Sequence, residues 1–145
     1  MLATVQRVSK AEVIIEDKTY SSIANGLLVL MCVEDNDNEK TTKEMVNKII
    51  NFRMLDGPKG ITSKALKDSE EAVLIVSQFT LAAITNKGSK PSFHKAAKPE
   101  DAKLLYDKFV SEFKKAFNKV EVGKFGAFME IALVNKGPVT FNFKI

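Results

Sequence analysis

Two short segments carry the residues best suited to chemistry. Ser77-Gln78-Phe79-Thr80 follows directly on an apolar run, and Asn135-Lys136-Gly137-Pro138-Val139-Thr140 precedes an alternating stretch at the end of the chain. Polar residues just past a buried strand sit where sheets open onto sites. Such a strand end offers free N–H groups and a hydroxyl to a developing oxyanion. The second segment works without side chains. Gly-Pro marks a turn, and an X-Pro bond prefers trans by only about 0.5–1 kcal/mol, so a cis bond is accessible. A rigid Gly137-Pro138 turn can aim backbone carbonyls at a ligand, which is a way to read the handedness of a small molecule. Other chemistries find little footing. Thr80 as a nucleophile needs a base, and none is evident beside it. Cys32 lies in an apolar run, where a thiol stays protonated and inert. His94 is a lone loop histidine, a general-base candidate without a visible partner. One His and one Cys, far apart, give no zinc-ligand spacing. Gly57-Pro58-Lys59-Gly60 has neither Walker nor dinucleotide-loop spacing. No metal and no cofactor are expected.

Positioning these segments requires a sheet. Residues 2–8 and 11–16 read as two strands with a turn at Glu16-Asp17-Lys18, and 19–23 as a short third. The run 27–33 after Gly26 is apolar throughout and suits a central strand buried on both faces. Asp37 is placed to cap a helix in which Met45, Val46, Ile49 and Ile50 recur at helical spacing. Asp56-Gly57-Pro58-Lys59-Gly60 reads as a hairpin loop or turn, and 72–76 as a second buried strand. Residues 85–99 look like a loop. Pro99 then suits a first helical position, with Glu100 and Asp101 at the positive end of the helix dipole and Lys114 and Lys115 at the other. Between them Ala102, Leu105, Tyr106, Phe109, Val110, Phe113 and Phe117 form one apolar stripe. Strands follow at 120–122, 128–134 and 139–145, the last alternating as a half-buried strand does. Strands grouped around two main helices, with no regular βαβ alternation, predict an α+β fold. The expected core is a mixed or antiparallel, barrel-like sheet with both helices packed outside.

A chain of 145 residues predicts one domain, residues 1–145, with enough buried surface for a real core. No apolar run approaches the ~20 residues that span a bilayer, and the start of the chain lacks a signal-peptide pattern. With a single cysteine, a reducing cytoplasm is the expected location. Net charge is +4, and its placement matters more than its size: no Asp or Glu occurs from 72 to 99, while Lys87, Lys90, Lys95 and Lys98 do. A local basic field favours a polyanion such as a nucleic-acid backbone.

Taken together, Ser77-Gln78-Phe79-Thr80-Leu81, Lys87-Gly88-Ser89-Lys90-Pro91-Ser92-Phe93 and Asn135-Lys136-Gly137-Pro138-Val139-Thr140 resemble the D-aminoacyl-tRNA deacylase family. The likeness extends over Val5-Gln6-Arg7-Val8, Gly26-Leu27-Leu28-Val29 and Gly123-Lys124-Phe125-Gly126-Ala127-Phe128-Met129, nearly the whole chain in order. The resemblance implies hydrolysis of the ester between a D-amino acid, or mischarged glycine, and the 3′-terminal adenosine of tRNA. It implies a homodimer with active sites at the subunit interface, in which a Gly-cis-Pro turn, here Gly137-Pro138 followed by Val139, enters the partner's site. Arg7 would fix that turn across the interface. An L side chain would be driven into the turn's carbonyls, whereas glycine or a D side chain would fit. Ser77, Gln78, Phe79 and Thr80 would form the catalytic segment, with main-chain N–H groups of Phe79 and Thr80 on the ester carbonyl and Gln78 orienting the turn or substrate. Water would attack, assisted by the tRNA's own terminal 2′-hydroxyl. Phe125, Gly126 and Met129 would hold the terminal adenosine, and Lys87, Lys90 and Lys95 the acceptor-stem phosphates. Two positions depart from the family's pattern: Lys136 stands where an acidic residue is usual, and Ile84 where an Asp is usual. A non-catalytic RNA-binding module and a hydrolase of small D-amino acid esters or amides are the alternative readings.

Overall fold

The computed structural model describes residues 1–86 and 88–145. Its organising strand is β1 (Leu2–Ile15), one continuous strand where two are expected. The reason is its partners. β8 (Glu130–Lys144) pairs antiparallel with β1 from Leu2 to Ile14, and the opposite edge of β1 is shared. There β3 (Gly26–Cys32) pairs with its first half and β2 (Lys18–Ile23) with its second. Glu16 and Asp17, at φ 51° and 59°, close the β1–β2 hairpin as a two-residue turn. β6 (Ala72–Ser77) lies parallel to β3, and β7 (Val120–Val122) parallel to β6. The Ser21 hydroxyl donates to the Val122 carbonyl at 2.8 Å, so β2 curls over to meet β7 and the mixed sheet nearly closes into a barrel. This is the α+β architecture predicted.

The apolar runs of β3 and β6 are buried on both faces, as their continuous hydrophobicity requires. On one face Leu27, Val29, Met31, Val73 and Ile75 meet the helices. On the other, Leu28, Leu74 and Val76 join Val8, Ala11, Val13 and Ile23 inside the barrel. Helix α1 (Glu39–Asn51) contributes Met45, Val46, Ile49 and Ile50, and α2 (Pro99–Ala116) contributes Tyr106, Phe109 and Phe113. Full burial of a ring such as Phe109 or Phe113 is worth about 1.5–3 kcal/mol. Asp37 does not cap α1. Asn38 has the extended backbone of a cap, and its Oδ1 accepts from the N–H groups of Lys40 and Thr41. Asp37 instead accepts from the Met1 ammonium at 2.6 Å and from the Glu34 N–H at 2.7 Å. The loop expected at 56–60 is the tip of a separate hairpin, β4 (Arg53–Gly57) and β5 (Gly60–Ala65), whose strands have no clear sequence signal.

The strands expected at 128–134 and 139–145 are one strand, β8, with the Gly-Pro dipeptide inside it. The Gly137-Pro138 peptide bond is cis. Val8 pairs with Asn135 and Gln6 with Thr140, so a single residue of β1, Arg7, faces residues 136–139. The extra residues leave the sheet as a bulge, and a bulge of this kind re-aims the backbone it contains.

Candidate active site

Where β3 and β6 end side by side, Met31 pairs with Ser77, and the Gln78 N–H donates to the Met31 carbonyl at 2.7 Å. The chain then turns into a 3₁₀ turn, Phe79–Ala82. The Leu81 N–H donates to the Gln78 carbonyl and the Ala83 N–H to that of Thr80. The N–H groups of Phe79 and Thr80, at the start of the turn, have no acceptor inside it. Thr80 follows Phe79 in the turn, and Phe79 lines a cavity of about 480 Å³. Its floor is Met31, Cys32 and Ser77, its walls are Phe79, Phe93, Tyr106 and Phe125, and its rim includes Gln78, Lys98 and Gly126. The lining is predominantly apolar with a few polar groups, the make-up of a small-molecule site.

The sequence-predicted residues divide between this cavity and other places. Ser77, Gln78, Phe79, Phe125 and Gly126 are brought together on it. The Phe79 ring is 59% exposed and edge-on to Phe93 at 5.1 Å. Thr80 is exposed next to the rim, and its hydroxyl accepts a 2.5 Å hydrogen bond from the Gln78 amide. An amide is not a base, and His94 is engaged elsewhere, its Nδ1 2.8 Å from the Ser92 hydroxyl. Met129 lies outside the cavity and packs in the barrel core, close to Gly123 and Val76. Lys90 and Lys95 are exposed in the loop before α2, and Lys87 lies outside the described residues. No cluster of metal-ligating side chains occurs among the described residues.

Cavity residues not assigned from sequence include Cys32, Phe93, Lys98 and Tyr106. Tyr106 reads as one more member of the α2 stripe, but its hydroxyl donates to the Ile75 carbonyl at 3.1 Å. A lone phenol on an otherwise apolar stripe is the signal that marks it. Burial holds that phenol protonated, far above its ordinary range. Desolvation likewise pushes the Cys32 thiol up to about 11, with the nearby Glu34 carboxylate adding to the rise. A raised thiol in the cavity floor agrees with the protonated cysteine expected from sequence.

The Gly137-Pro138 turn is held by a buried cation. Arg7 is 3% exposed. Its Nε donates to the Lys136 carbonyl at 2.9 Å, its Nη1 to the carbonyls of Met54 (3.3 Å) and Ile61, and its Nη1 pairs with the Asp56 carboxylate at 2.8 Å. Asp56 also meets Lys136 at 3.4 Å. Partial desolvation raises the Asp56 carboxyl, but its own backbone N–H, Arg7 and Lys136 outweigh this and leave it below the usual carboxylate range. Asn135 completes the bulge, accepting from the Val139 N–H at 3.1 Å and donating to Thr140 at 3.0 Å. Val139 is buried, while Gly137 and Pro138 face solvent. The resemblance implies an Arg7 contact across a subunit interface; within this chain Arg7 grips its own turn.

The turn and the cavity are far apart in one chain. Arg7 pairs with Leu27 and Leu27 with Val73, so the turn lies three strands away from β6 and four residues back from Ser77. At about 3.3 Å per residue and 4.8 Å per strand, this is roughly 20 Å along the sheet.

The family model for D-Tyr-tRNA(Tyr) deacylase matches residues 4–144. The chain belongs to the D-Tyr-tRNA(Tyr) deacylase family. It is 41% identical over 145 residues to the D-aminoacyl-tRNA deacylase of Francisella tularensis subsp. novicida, covering 100% of both chains. It is 47% identical over 140 residues to that of Thermosipho africanus, covering 97% of this chain and 94% of the relative. A solved structure of a c-Myc DNA Unwinding Element Binding Protein superposes with a TM-score of 0.95 at 37% identity, covering 100% of this chain and 99% of that one. A probable eukaryotic D-amino acid tRNA deacylase shares the fold, with a TM-score of 0.87 at 17% identity over 99% of this chain and 98% of that one. Membership of this deacylase family makes the chain a hydrolase of the aminoacyl-tRNA ester bond. Among the described residues, no helix of the deacylase is long and apolar enough to cross a membrane.

Proposed function

We propose that this deacylase frees tRNA from D-amino acids and from mischarged glycine, working as a cytoplasmic homodimer whose active sites are each shared by two subunits. The observation that carries the reading is the separation of the two signature segments within one chain. The 3₁₀ turn, whose first N–H groups have no acceptor within it, and the apolar cavity sit at one end of the sheet. The Gly137-Pro138 turn is exposed at the other, on a strand that pairs only with β1 among the described residues. A long strand with a free edge invites a partner. A second copy of the chain brings a turn to each cavity.

In this reading the terminal adenosine enters the cavity and stacks against Phe125 beside Gly126. The ester carbonyl faces the N–H groups of Phe79 and Thr80. Water attacks the carbonyl carbon, assisted by the terminal 2′-hydroxyl. The two N–H groups meet the negative charge that develops on oxygen, and the ribose 3′-oxygen leaves with a proton. Gln78 holds the Thr80 hydroxyl, so the side chain positions the turn instead of attacking. The main-chain oxygens of the partner's Gly137-Pro138 turn accept from the substrate ammonium and exclude an L side chain by contact. Lys90, Lys95 and Lys98 favour the acceptor-stem phosphates.

Incubation with D-Tyr-tRNA, L-Tyr-tRNA and Gly-tRNA tests the reading. Release of the D and glycyl species alone is expected. Binding without release means an RNA-binding module, and equal rates on a small D-ester mean that tRNA is not the substrate. Thr80→Ala keeps substantial activity if the main-chain donors dominate; complete loss with tRNA binding intact makes Thr80 the nucleophile. Sedimentation at micromolar protein should show a dimer, and a monomer that is fully active overturns the shared site.

A further inference from the structure

The β4–β5 hairpin packs on no part of the cavity, yet its tip reaches the Gly-Pro bulge through ionic and main-chain contacts. Arg7, on β1, takes acceptors from both sides: the Lys136 carbonyl on the bulge, and the Met54 and Ile61 carbonyls on the two hairpin strands. Asp56 lies between, 2.8 Å from Arg7 and 3.4 Å from the Lys136 ammonium. One carboxylate therefore touches the cation that holds the carbonyl before Gly137 and also the side chain of the residue carrying that carbonyl. The Asp56 contact is an ion pair through Nη1, so it holds the guanidinium by charge while the three main-chain acceptors fix its plane. Gly137 leaves no slack in this arrangement, since a Cβ there would sit 2.7 Å from Arg7 Nη2. A rotation of the guanidinium acts on the turn through the Nε bond to the Lys136 carbonyl.

We propose that Asp56 is a positioning residue for substrate selection, clamping Arg7 and Lys136 so that the β4–β5 hairpin sets where the turn's main-chain oxygens point. This rests on the reading that those oxygens sort D from L substrates. Asp56 is 47% exposed and touches no part of the cavity, and in Asp56→Asn the buried guanidinium keeps its three main-chain acceptors, so the chain should still fold at some cost in stability.

The test is Asp56→Asn beside Gly137→Ala, with kcat/KM measured on D-Tyr-tRNA and L-Tyr-tRNA and urea stability measured in parallel. Asp56→Asn should lower the D-to-L ratio about fivefold, chiefly by admitting L-Tyr-tRNA, the scale of one ion pair with a half-exposed carboxylate. A purely structural role would lower stability and both rates together, leaving the ratio unmoved, and that result overturns the proposal. If Gly137→Ala shifts the ratio and Asp56→Asn does not, the turn sorts substrates and Asp56 has no part in it. If neither variant shifts the ratio, the turn is not the filter, and the proposal falls with the reading beneath it. Should Asp56→Asn fold poorly, Lys136→Gln cuts the second arm of the clamp, and an unchanged ratio in that variant overturns the proposal equally.

Discussion

Two glycines of this chain allow the Arg7 contact to be weighed by itself. Gly60 and Gly137 have nearly the same φ, +127° and +131°, a range that L side chains rarely adopt. At such a φ, alanine at either position costs about 1–3 kcal/mol. Their surroundings differ completely. A Cβ on Gly60 meets nothing within 4 Å, whereas one on Gly137 would lie 2.7 Å from Arg7 Nη2 and 2.9 Å from Val139 Cγ2. Val139 is fixed by burial and by its N–H bond to Asn135, so the guanidinium must give way. Moving it forfeits at least the Nε bond to the Lys136 carbonyl, a charge-assisted bond worth about 1.5–3 kcal/mol.

Gly137→Ala should therefore be about 2 kcal/mol less stable than Gly60→Ala, a difference of roughly 6 °C in Tm for a domain of this size. Urea denaturation followed by far-ultraviolet circular dichroism measures it, provided the m-values agree. In an Arg7→Met background the excess should shrink, because the atom in the way is gone and the half-exposed Asp56 is not left as a buried charge. Equal stability of Gly60→Ala and Gly137→Ala would refute the claim that Arg7 is held rigidly against the turn.

Two further measurements bear on the cavity wall. The Cys32 thiol, pushed by burial from 9.0 to about 11, has about 100-fold less thiolate at pH 8 than an ordinary cysteine. Iodoacetamide should label the native protein slowly, the rate rising about tenfold per pH unit until near pH 11, and rapid labelling at pH 7 contradicts this. Tyr106→Phe removes the hydroxyl on the Ile75 carbonyl, but that oxygen keeps the Gly123 N–H at 2.8 Å. The loss in urea should stay near 1 kcal/mol, and a loss above ~3 kcal/mol would mean that the hydroxyl supports more than one bond.

The elements that sequence predicts well are those whose pattern follows from their own surroundings. β3 and β6 are apolar throughout because both faces are covered, and α2 shows its buried stripe because one face meets the sheet. The boundaries of β1 and β8 depend on the partner strand instead. Val8-Ser9-Lys10 looks like a break, yet the strand continues because β8 pairs on both sides of it. Choosing Asn38 over Asp37 as the α1 cap depends likewise on Asp37 being occupied by the Met1 ammonium, which no local pattern records. At the site, Ser77, Gln78 and Phe79 are legible because they end an apolar run, whereas Tyr106 hides inside one.

Asp56 is the instructive case. In sequence it is an ordinary turn former, far from residues 135–140, and nothing local distinguishes it. Its significance comes from Arg7, whose charge is buried in a strand and must be met by something. A buried arginine with three main-chain acceptors from two separate elements ties those elements into one unit. The guanidinium has five donors in a rigid fork, so it transmits orientation where a lysine would transmit only charge. The bulge on β8 consequently depends for its shape on a hairpin that never touches the cavity. If the turn selects substrates, changes in that hairpin will alter selectivity before they alter the rate on the preferred ester, because the cavity and the N–H groups beside it are built from other strands.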